Sequence, residues 1–258
     1  MNAKRLFSHA LRAALSMLGL LGCLGARAQG THWRIEAESP QTRVLLRGDT
    51  LDITSPQGLS LWWDEPLEAP CVVEYRACVV MEGGPSDRLS DLNCFWMATD
   101  PVVGVRTEDA GRLVGSPLRG ISLRRGRFVE SYRLQCYYVG YGGNYNTTTR
   151  FRRYDADTLG IAQPEHRPPI LQEYTDSAHL LRPNHWYSVR LEVMPVRVEG
   201  TAERQHGTPA TQVARVRYII DDEVLVDYVD SRPLLRGWFA FRTTWSHVRM
   251  TGWRVLKI

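Results

Sequence analysis

The sequence lacks the signals that identify the most familiar catalytic centres. It has no G-x-S-x-G turn of a serine hydrolase and no H-E-x-x-H or H-x-H spacing for a catalytic metal. The glycines at 140–143 are not followed by Lys-Ser/Thr, so they do not form a phosphate loop, and no EF-hand calcium loop is present. These absences exclude the easily recognised enzyme classes, so function must be inferred from the side chains that the fold brings together.

Lysine is almost absent. Only Lys4 and Lys257 are lysines among the 32 basic residues. Four of those 32 lie in residues 1–28, which contain no acid, so the rest of the chain has 28 basic and 28 acidic residues and is formally neutral. Neutrality gives no support for nucleic-acid binding. The planar fork of arginine matches carboxylates and sulfates bidentately, although genome composition is the other source of such a bias.

Residues 1–28 predict a secretion signal. A basic start at residues 4–5 precedes an apolar stretch too short to span a bilayer comfortably, and Ala-Arg-Ala at 26–28 fits a small-x-small cleavage site. A Leu-Leu-Gly-Cys sequence ending at Cys23 partly matches a lipoprotein signal, but Leu21 is bulkier than usual there, so we favour simple cleavage. Either site predicts export to the periplasm or the extracellular space. No later apolar run is long enough for a membrane helix.

No long amphipathic helix follows the signal. Short β-type runs recur instead, separated by turn signals such as Ser-Pro-Gln-Gly at 55–58. Many short strands with Gly/Pro punctuation predict an all-β fold, a two-sheet antiparallel jelly-roll sandwich. We find no internal repeat and no linker, so residues 29–258 are predicted to form a single domain.

Four cysteines follow the signal. An exported chain can oxidise them, and three pairings are open. The alternative is that they are buried free thiols. No pair has the C-x2-C spacing of a zinc site. The four are Cys71, Cys78, Cys94 and Cys136.

The strands on either side of a glycine- and asparagine-rich turn carry the most informative side chains. One strand presents Arg133, Gln135 and Tyr137 on one face, and the return strand presents Arg150 and Arg152. We expect these side chains to share a polar, concave sheet face that suits an anionic or hydroxyl-rich ligand. The alternative is a solvated face with stacked arginine stems.

The last third of the chain resembles the concanavalin A-like (laminin G-like) jelly-roll superfamily. The resemblance is carried by NHWYSVR at 184–190, VRYIIDDEV at 216–224 and GWFAFR at 237–242. More narrowly, SDLNCFWMATDP at 90–101, YVGYGGN at 138–144, TTTRFRRY at 147–154 and FRTTWS at 241–246 resemble a bacterial family catalogued as domain of unknown function 6250. The resemblance extends from about Trp33 to the C-terminus. Relatives in the superfamily are glycoside hydrolases, polysaccharide lyases and sugar-binding modules.

Two kinds of cleavage chemistry are open. A retaining glycosidase needs two carboxylates about 5–5.5 Å apart. The chain has no E-x-D-x-(x)-E run. Glu36-Ala37-Glu38 is the nearest match, but it lies in the first strand, where ordinary edge-strand acids explain it better, so the acids between Asp155 and Asp176 remain as candidates. A polysaccharide lyase needs a group that neutralises the substrate carboxylate, a base and an acid. The arginines, amides and tyrosines of the hairpin supply those residue types.

We therefore predict an exported carbohydrate-active protein, either a polysaccharide lyase or a glycoside hydrolase, that acts on an acidic glycan. The alternative is a non-catalytic glycan-binding module, and a weaker one is a structural surface protein. The predicted catalytic residues are Tyr137, Arg150 and His179. The predicted substrate-binding residues are Arg133, Gln135, Tyr141, Asn144, Arg152 and Trp245.

We expect a poly- or oligosaccharide partner, no nucleic acid, no membrane span and a monomer. No cofactor or catalytic metal is predicted. The superfamily resemblance allows a structural calcium ion held by loop oxygens.

Overall fold

The computed structural model describes residues 32–101, 124–156, 167–196 and 213–258. The predicted secretion signal and Cys23 lie outside the described residues, as do the loop residues 102–123, 157–166 and 197–212. None of the helices in the described ranges is long and apolar enough to cross a membrane.

The described residues form thirteen strands joined by turns and short helical segments. The strands are β1 (Trp33–Ala37), β2 (Arg43–Arg47), β3 (Thr50–Trp63), β4 (Leu67–Glu68), β5 (Cys71–Val79), β6 (Leu92–Thr99), β7 (Gln135–Gly142), β8 (Thr148–Asp155), β9 (Gln172–Tyr174), β10 (Trp186–Val196), β11 (Val213–Ile220), β12 (Glu223–Asp230) and β13 (Arg236–Lys257). Single helical turns lie at Val129–Arg133, Gly143–Asn146 and Ser177–His179.

All pairings are antiparallel, and two long strands belong to both layers of a sandwich. The front sheet runs β9-β8-β7-β6-β13-β3-β1, using the first half of β13 and the second half of β3. The back sheet runs β12-β11-β10-β5-β13-β3-β2, using the other half of each long strand. The predicted all-β, two-sheet jelly-roll sandwich is confirmed.

The predicted turn at residues 55–58 is wrong. Strand β3 continues through these residues, and its pairing with β13 shifts register where Thr244 lies opposite Gly58 and Ser246 lies opposite Ser55. The bulge bends both strands together, so each passes from one sheet to the other without a turn. Pro56 is tolerated because the bulge leaves it without a ladder partner on β13.

The space between the sheets is filled by aromatic and aliphatic side chains. Trp96, Tyr137 and Phe151 of the front sheet and Tyr218 of the back sheet are buried there. Full burial of a large apolar side chain contributes about 1.5–3 kcal/mol relative to an exposed one. This core fixes which face of each front-sheet strand points outward.

A second, smaller apolar cluster lies on the outer face of the front sheet. It contains Phe95, Tyr138 and Tyr154, and it packs against Phe128 and Tyr132 of the segment 124–134. The segment therefore covers part of the outer face and forms a wall beside the part that stays open.

All four described cysteines are buried free thiols. Burial raises the pKa of Cys71 to about 11 and that of Cys94 to about 12. Of the two alternatives that the sequence leaves open, the structure shows the small buried hydrophobic side chain rather than the disulfide.

Candidate functional site

A groove of about 580 Å³ opens on the outer face of the front sheet. Ligand pockets of roughly 300–1,000 Å³ are typical for small molecules. Six arginines and two acids are among the described residues that line it: Arg88, Arg127, Arg150, Arg152, Arg167, Arg242, Glu38 and Asp91. The groove therefore carries an excess of positive charge, although residues 29–258 taken together are formally neutral.

Two rows of directly opposed residues form the floor of the groove. The first row consists of Arg242 on β13, Asn93 on β6, Gly140 on β7 and Arg150 on β8. The second row consists of Ala240, Phe95, Tyr138 and Arg152 on the same four strands. Directly opposed residues share a face, so the rows bring side chains from distant parts of the chain together.

Tyr138 lies across the position of Gly140. A Cβ atom at Gly140 would lie 2.8 Å from the Tyr138 hydroxyl, so the missing side chain makes room for the phenol. The hydroxyl has no hydrogen-bond partner among the described residues. Burial raises the pKa of Tyr138 above its ordinary value, and Asp91 adds to the increase. Tyr138 is therefore a neutral phenol at the floor of a cationic groove.

Arg152 and Arg242 are the most buried charges of the groove, with 4% and 3% of their surface exposed. Arg152 donates a hydrogen bond to the carbonyl of Pro168, and Arg242 donates one of 2.6 Å to the carbonyl of Gly126. Neither guanidinium forms a salt bridge with a carboxylate in the described ranges. Burial lowers the pKa of both, and for Arg152 the neighbouring cations lower it further. An anion in the groove would offset the desolvation of these charges.

Asn93 lies between these cations. It is 5% exposed, and its amide nitrogen donates to Asp91 over 3.2 Å. Its Oδ1 atom is buried without a hydrogen-bond partner in the described part of the chain. Such an unpaired buried acceptor costs about 1–3 kcal/mol, and a ligand hydroxyl would satisfy it.

The two acids of the groove differ in their surroundings. Asp91 forms an ion pair with Arg88. Glu38 is exposed and accepts a hydrogen bond of 2.9 Å from the backbone N–H of Gly58. It forms no close ion pair within the described residues, although its charge acts on Arg242 from a longer distance. Glu38 is therefore the acid of the groove whose carboxylate is not held in a close ion pair among the described residues.

Residues 53–253 match the family described as Domain of unknown function (DUF6250). The chain belongs to this family. No curated protein sequence matches it.

The fold of this DUF6250 protein is similar to several solved structures. A Bacillus subtilis protein of unknown function with a galectin-like fold has a TM-score of 0.58 at 12% identity, covering 91% of this chain and 93% of that one. Carbohydrate-binding module CBM66 from Bacillus subtilis has a TM-score of 0.48 at 11% identity, with 89% and 98% covered. A legume lectin-like domain from Entamoeba histolytica has a TM-score of 0.48 at 6% identity, with 88% and 90% covered. The first similarity shows the fold alone, and it agrees with the predicted jelly-roll sandwich.

Four of the residues predicted for the site line the groove of the DUF6250 protein. They are Asn144, Arg150, Arg152 and Trp245. Arg150 also pairs with Glu173 of β9 over 2.5 Å, so part of its charge is already neutralised.

The predicted common face of Tyr137 with Arg150 and Arg152 is wrong. The register pairs Arg152 with Tyr138 and Arg150 with Gly140, so Tyr137 points to the opposite side of the sheet. Its hydroxyl donates a 2.7 Å hydrogen bond to Asp230 in the buried space between the sheets. Tyr141 has the same orientation, and its ring packs on Tyr187 with centroids 5.4 Å apart.

The remaining predicted residues lie outside the lining of the groove. Arg133 ends the helical turn Val129–Arg133, and Gln135 begins β7 opposite Asp155. His179 lies 2.7 Å from Asp176 and 3.3 Å from Glu223. Burial opposes ionisation of His179, but the two carboxylates outweigh it and raise its pKa. These contacts hold His179 at the edge of the back sheet, outside the lining of the groove.

The groove residues that the sequence interpretation did not assign to the site include Glu38, Arg88, Asn93, Tyr138, Tyr145 and Arg242. Two signals were available for some of them. Asn93 and Arg242 lie inside the segments that resemble the family, and Tyr138 precedes Gly140 by two positions on the same strand face.

Among the described residues, the candidate acids of the long loop supply no carboxylate to the groove lining. Asp157 and Glu165 lie outside the described residues, while Asp155 pairs with Arg153 and Asp176 with His179. None of the described loop acids lines the groove.

One described group of side chains has the spacing of metal ligands. The ligand atoms of His32, Asp64 and Glu65 lie within 4.8 Å of one another at the surface, away from the groove lining. Exposed acidic groups commonly cluster without an ion, so we assign no metal there. The structural calcium ion stays a prediction.

Proposed function

We propose that this protein is a carbohydrate-active protein that binds an acidic glycan in the arginine groove and cleaves it by β-elimination. The observation that carries the proposal is the placement of Tyr138 between Arg152 and Arg242, two buried guanidinium groups without a carboxylate partner in the described ranges.

The charges of the groove favour an acidic glycan as the ligand. Arginine presents a planar fork of donors that fits a carboxylate or a sulfate. The unpartnered Oδ1 atom of Asn93 adds an acceptor for a sugar hydroxyl. A neutral glycan would add no negative charge to offset the desolvation of Arg152 and Arg242, so the geometry favours an anionic sugar on the floor.

β-Elimination is the reaction that fits these side chains. A base removes the proton from the carbon next to the substrate carboxylate, the electron pair forms a C=C bond, and the β C–O bond breaks. Arg152 and Arg242 would stabilise the charge that develops on the carboxylate. Glu38 would accept the proton, and the neutral hydroxyl of Tyr138 would protonate the leaving oxygen. No water is consumed.

Hydrolysis fits the groove less well. A glycosidase needs a second carboxylate that acts as a nucleophile or activates water. Asp91 is the other described acid of the groove, and its ion pair with Arg88 occupies it. A non-catalytic binding module would share the groove and need no proton transfer. The predicted secretion signal at residues 1–28 supports export, where polysaccharide substrates are found.

The purified protein, incubated with acidic and neutral polysaccharides, tests the proposal. We expect ultraviolet absorbance from an unsaturated uronate to rise together with new reducing ends, on acidic substrates only. Reducing ends without absorbance would overturn elimination in favour of hydrolysis. Retention of acidic glycan without product would favour the binding module, and no retention would overturn the proposal.

Two variants test whether the acidic glycan binds in the groove. Arg152→Met keeps an apolar stem but removes the charge, and we expect binding of acidic glycan to weaken by about tenfold to a hundredfold. Arg215→Met is the matched control, because Arg215 forms an exposed ion pair with Asp227 on the back sheet. Equal affinities of the two variants would refute the location.

A further inference from the structure

Arg88 lies between two aromatic rings at the rim of the groove. Its guanidinium carbon is 5.1 Å from the ring centroid of Tyr145 and 5.6 Å from that of Trp245. All three residues line the same groove as the floor arginines. Guanidinium groups are attracted to aromatic faces at such distances.

Hydrogen bonds hold Arg88 in this position. Its Nε atom donates a 3.0 Å bond to the carbonyl of Trp245, and Nη2 donates to the carbonyl of Thr244 and to Asp91. The side chain is only 11% exposed. Nη1 has no partner in the described part of the chain and remains a donor for a ligand. Arg88 therefore links β13, the start of β6 and the hairpin between β7 and β8.

The two rings are exposed although both are large. Tyr145 is 72% exposed and Trp245 is 46% exposed. Trp245 lies at the β13 bulge with φ of 40°, and its indole N–H donates a 3.2 Å hydrogen bond to the carbonyl of Pro85. Tyr145 lies in a left-handed backbone turn with φ of 58°. Neither ring is needed to fill the core, so their positions call for another explanation.

We infer that Tyr145, Arg88 and Trp245 form a preassembled platform for the apolar face of a second sugar ring. This inference rests on the proposed function and extends it. The platform is continuous with the floor, so an anionic sugar bound at Arg152 and Arg242 places its neighbour in the chain against the two rings. A pyranose has an apolar C–H face and hydroxyls at its edge, which matches aromatic rings beside the free Nη1 donor. Arg88 is a positioning residue that fixes the rings before the ligand arrives.

Ligands of different chain length distinguish binding at the platform from binding at the arginines of the floor. The probes are galacturonate and mannuronate as single sugars, and oligogalacturonates and oligoalginates of two to six sugars, measured by calorimetry. We expect at least one oligosaccharide series to bind the wild-type protein more tightly than its single sugar. Tyr145→Ala should weaken oligosaccharide binding by roughly tenfold and leave single-sugar binding unchanged. Tyr145→Phe keeps the ring and should restore most of the loss.

Arg88→Gln tests the positioning role. We expect a loss for oligosaccharides like that of Tyr145→Ala, together with a change in Trp245 fluorescence in the free protein, identified by comparison with Trp245→Phe. A general loss of structure would lower single-sugar binding as well. If that occurs, Tyr145→Ala decides the question, because the exposed Tyr145 side chain contributes nothing to the core.

The outcomes separate the two proposals. Oligosaccharides that bind no more tightly than single sugars, or a Tyr145→Ala variant with unchanged oligosaccharide affinity, would refute the platform and leave the anionic floor intact. A wild-type protein that binds none of the acidic probes would overturn the proposed function and the platform together.

Discussion

Replacing each of two adjacent tyrosines on β7 by phenylalanine should have opposite consequences. The Tyr137 hydroxyl donates to Asp230 over 2.7 Å and accepts the backbone N–H of Leu234 over 3.0 Å. The Tyr138 hydroxyl faces the groove and has no partner among the described residues. Tyr137→Phe should therefore destabilise the fold, whereas Tyr138→Phe should abolish elimination and leave stability almost unchanged.

The expected size follows from the bonds that are lost. A hydrogen bond to a charged group contributes about 1.5–3 kcal/mol, and Tyr137→Phe also leaves the N–H of Leu234 unsatisfied. A loss of about 2 kcal/mol lowers the melting temperature of a chain of this size by about 4–8 °C. Tyr138→Phe should change the free energy of unfolding by less than about 0.5 kcal/mol. Calorimetric melting curves and urea titrations measure both values.

The pH dependence gives a second test of Tyr137→Phe. Burial opposes ionisation of Asp230, but hydrogen bonds from Tyr137, the backbone of Arg232 and Arg153 outweigh it and lower its pKa. A carboxyl group with a lowered pKa in the folded state stabilises the protein above its unfolded pKa of about 3.9 and loses that contribution as the pH falls. The difference in stability between the wild-type protein and Tyr137→Phe should therefore be largest near neutral pH and shrink below about pH 4.

Two results would refute this reasoning. Equal melting temperatures for Tyr137→Phe and the wild-type protein would mean that the buried network with Asp230 contributes no net stability. A Tyr138→Phe variant that loses stability but keeps full turnover would mean that the two tyrosines have exchanged roles, which the register of β7 and β8 forbids.

Three further predictions concern single positions. Gly140→Ala places a Cβ atom 2.8 Å from the hydroxyl of Tyr138, so the phenol must move; glycan binding measured by calorimetry should fall while the melting temperature changes little. Gly237→Ala places a Cβ atom 2.3 Å from the backbone of β6, which cannot move as easily, and the melting temperature should fall by an amount equivalent to about 1–3 kcal/mol. Asp176 and Glu223 raise the pKa of His179, so the protonated imidazole stabilises the fold fully below about pH 6.5 and less as the pH rises. Melting curves between pH 6 and pH 8 should show a steeper decline for the wild-type protein than for His179→Gln.

The fold class could be predicted from the sequence because short alternating runs and turn residues are local signals. The sequence could not predict which side chains of neighbouring strands share a face of the sheet. Arg150 and Arg152 were expected beside Tyr137, and the true register places them beside Gly140 and Tyr138. Since side chains alternate with a period of two, a register error of one residue moves a whole strand to the wrong face.

The rim of the groove depends on contacts that sequence spacing does not indicate. Arg88 donates to the carbonyl of Trp245, which is 157 residues away in the sequence. Tyr145 gains its position from three consecutive left-handed residues, at 144–146, in which glycine is absent. Non-glycine residues adopt this region rarely, so propensity argues against such a turn.

The path of β13 through both sheets has a consequence for how the groove loses its structure. Arg242 and the bulge at Trp245 lie on the same continuous strand as Val248 and Met250, which pair with β5 in the back sheet. Local opening of the groove would have to break the hydrogen bonds of this strand to its neighbours in both sheets at once. The backbone amides of β13 should therefore exchange hydrogen only through global unfolding. In this sandwich the groups proposed to bind the ligand belong to the last cooperative unit to open, so we expect conditions that melt the groove to melt both sheets together.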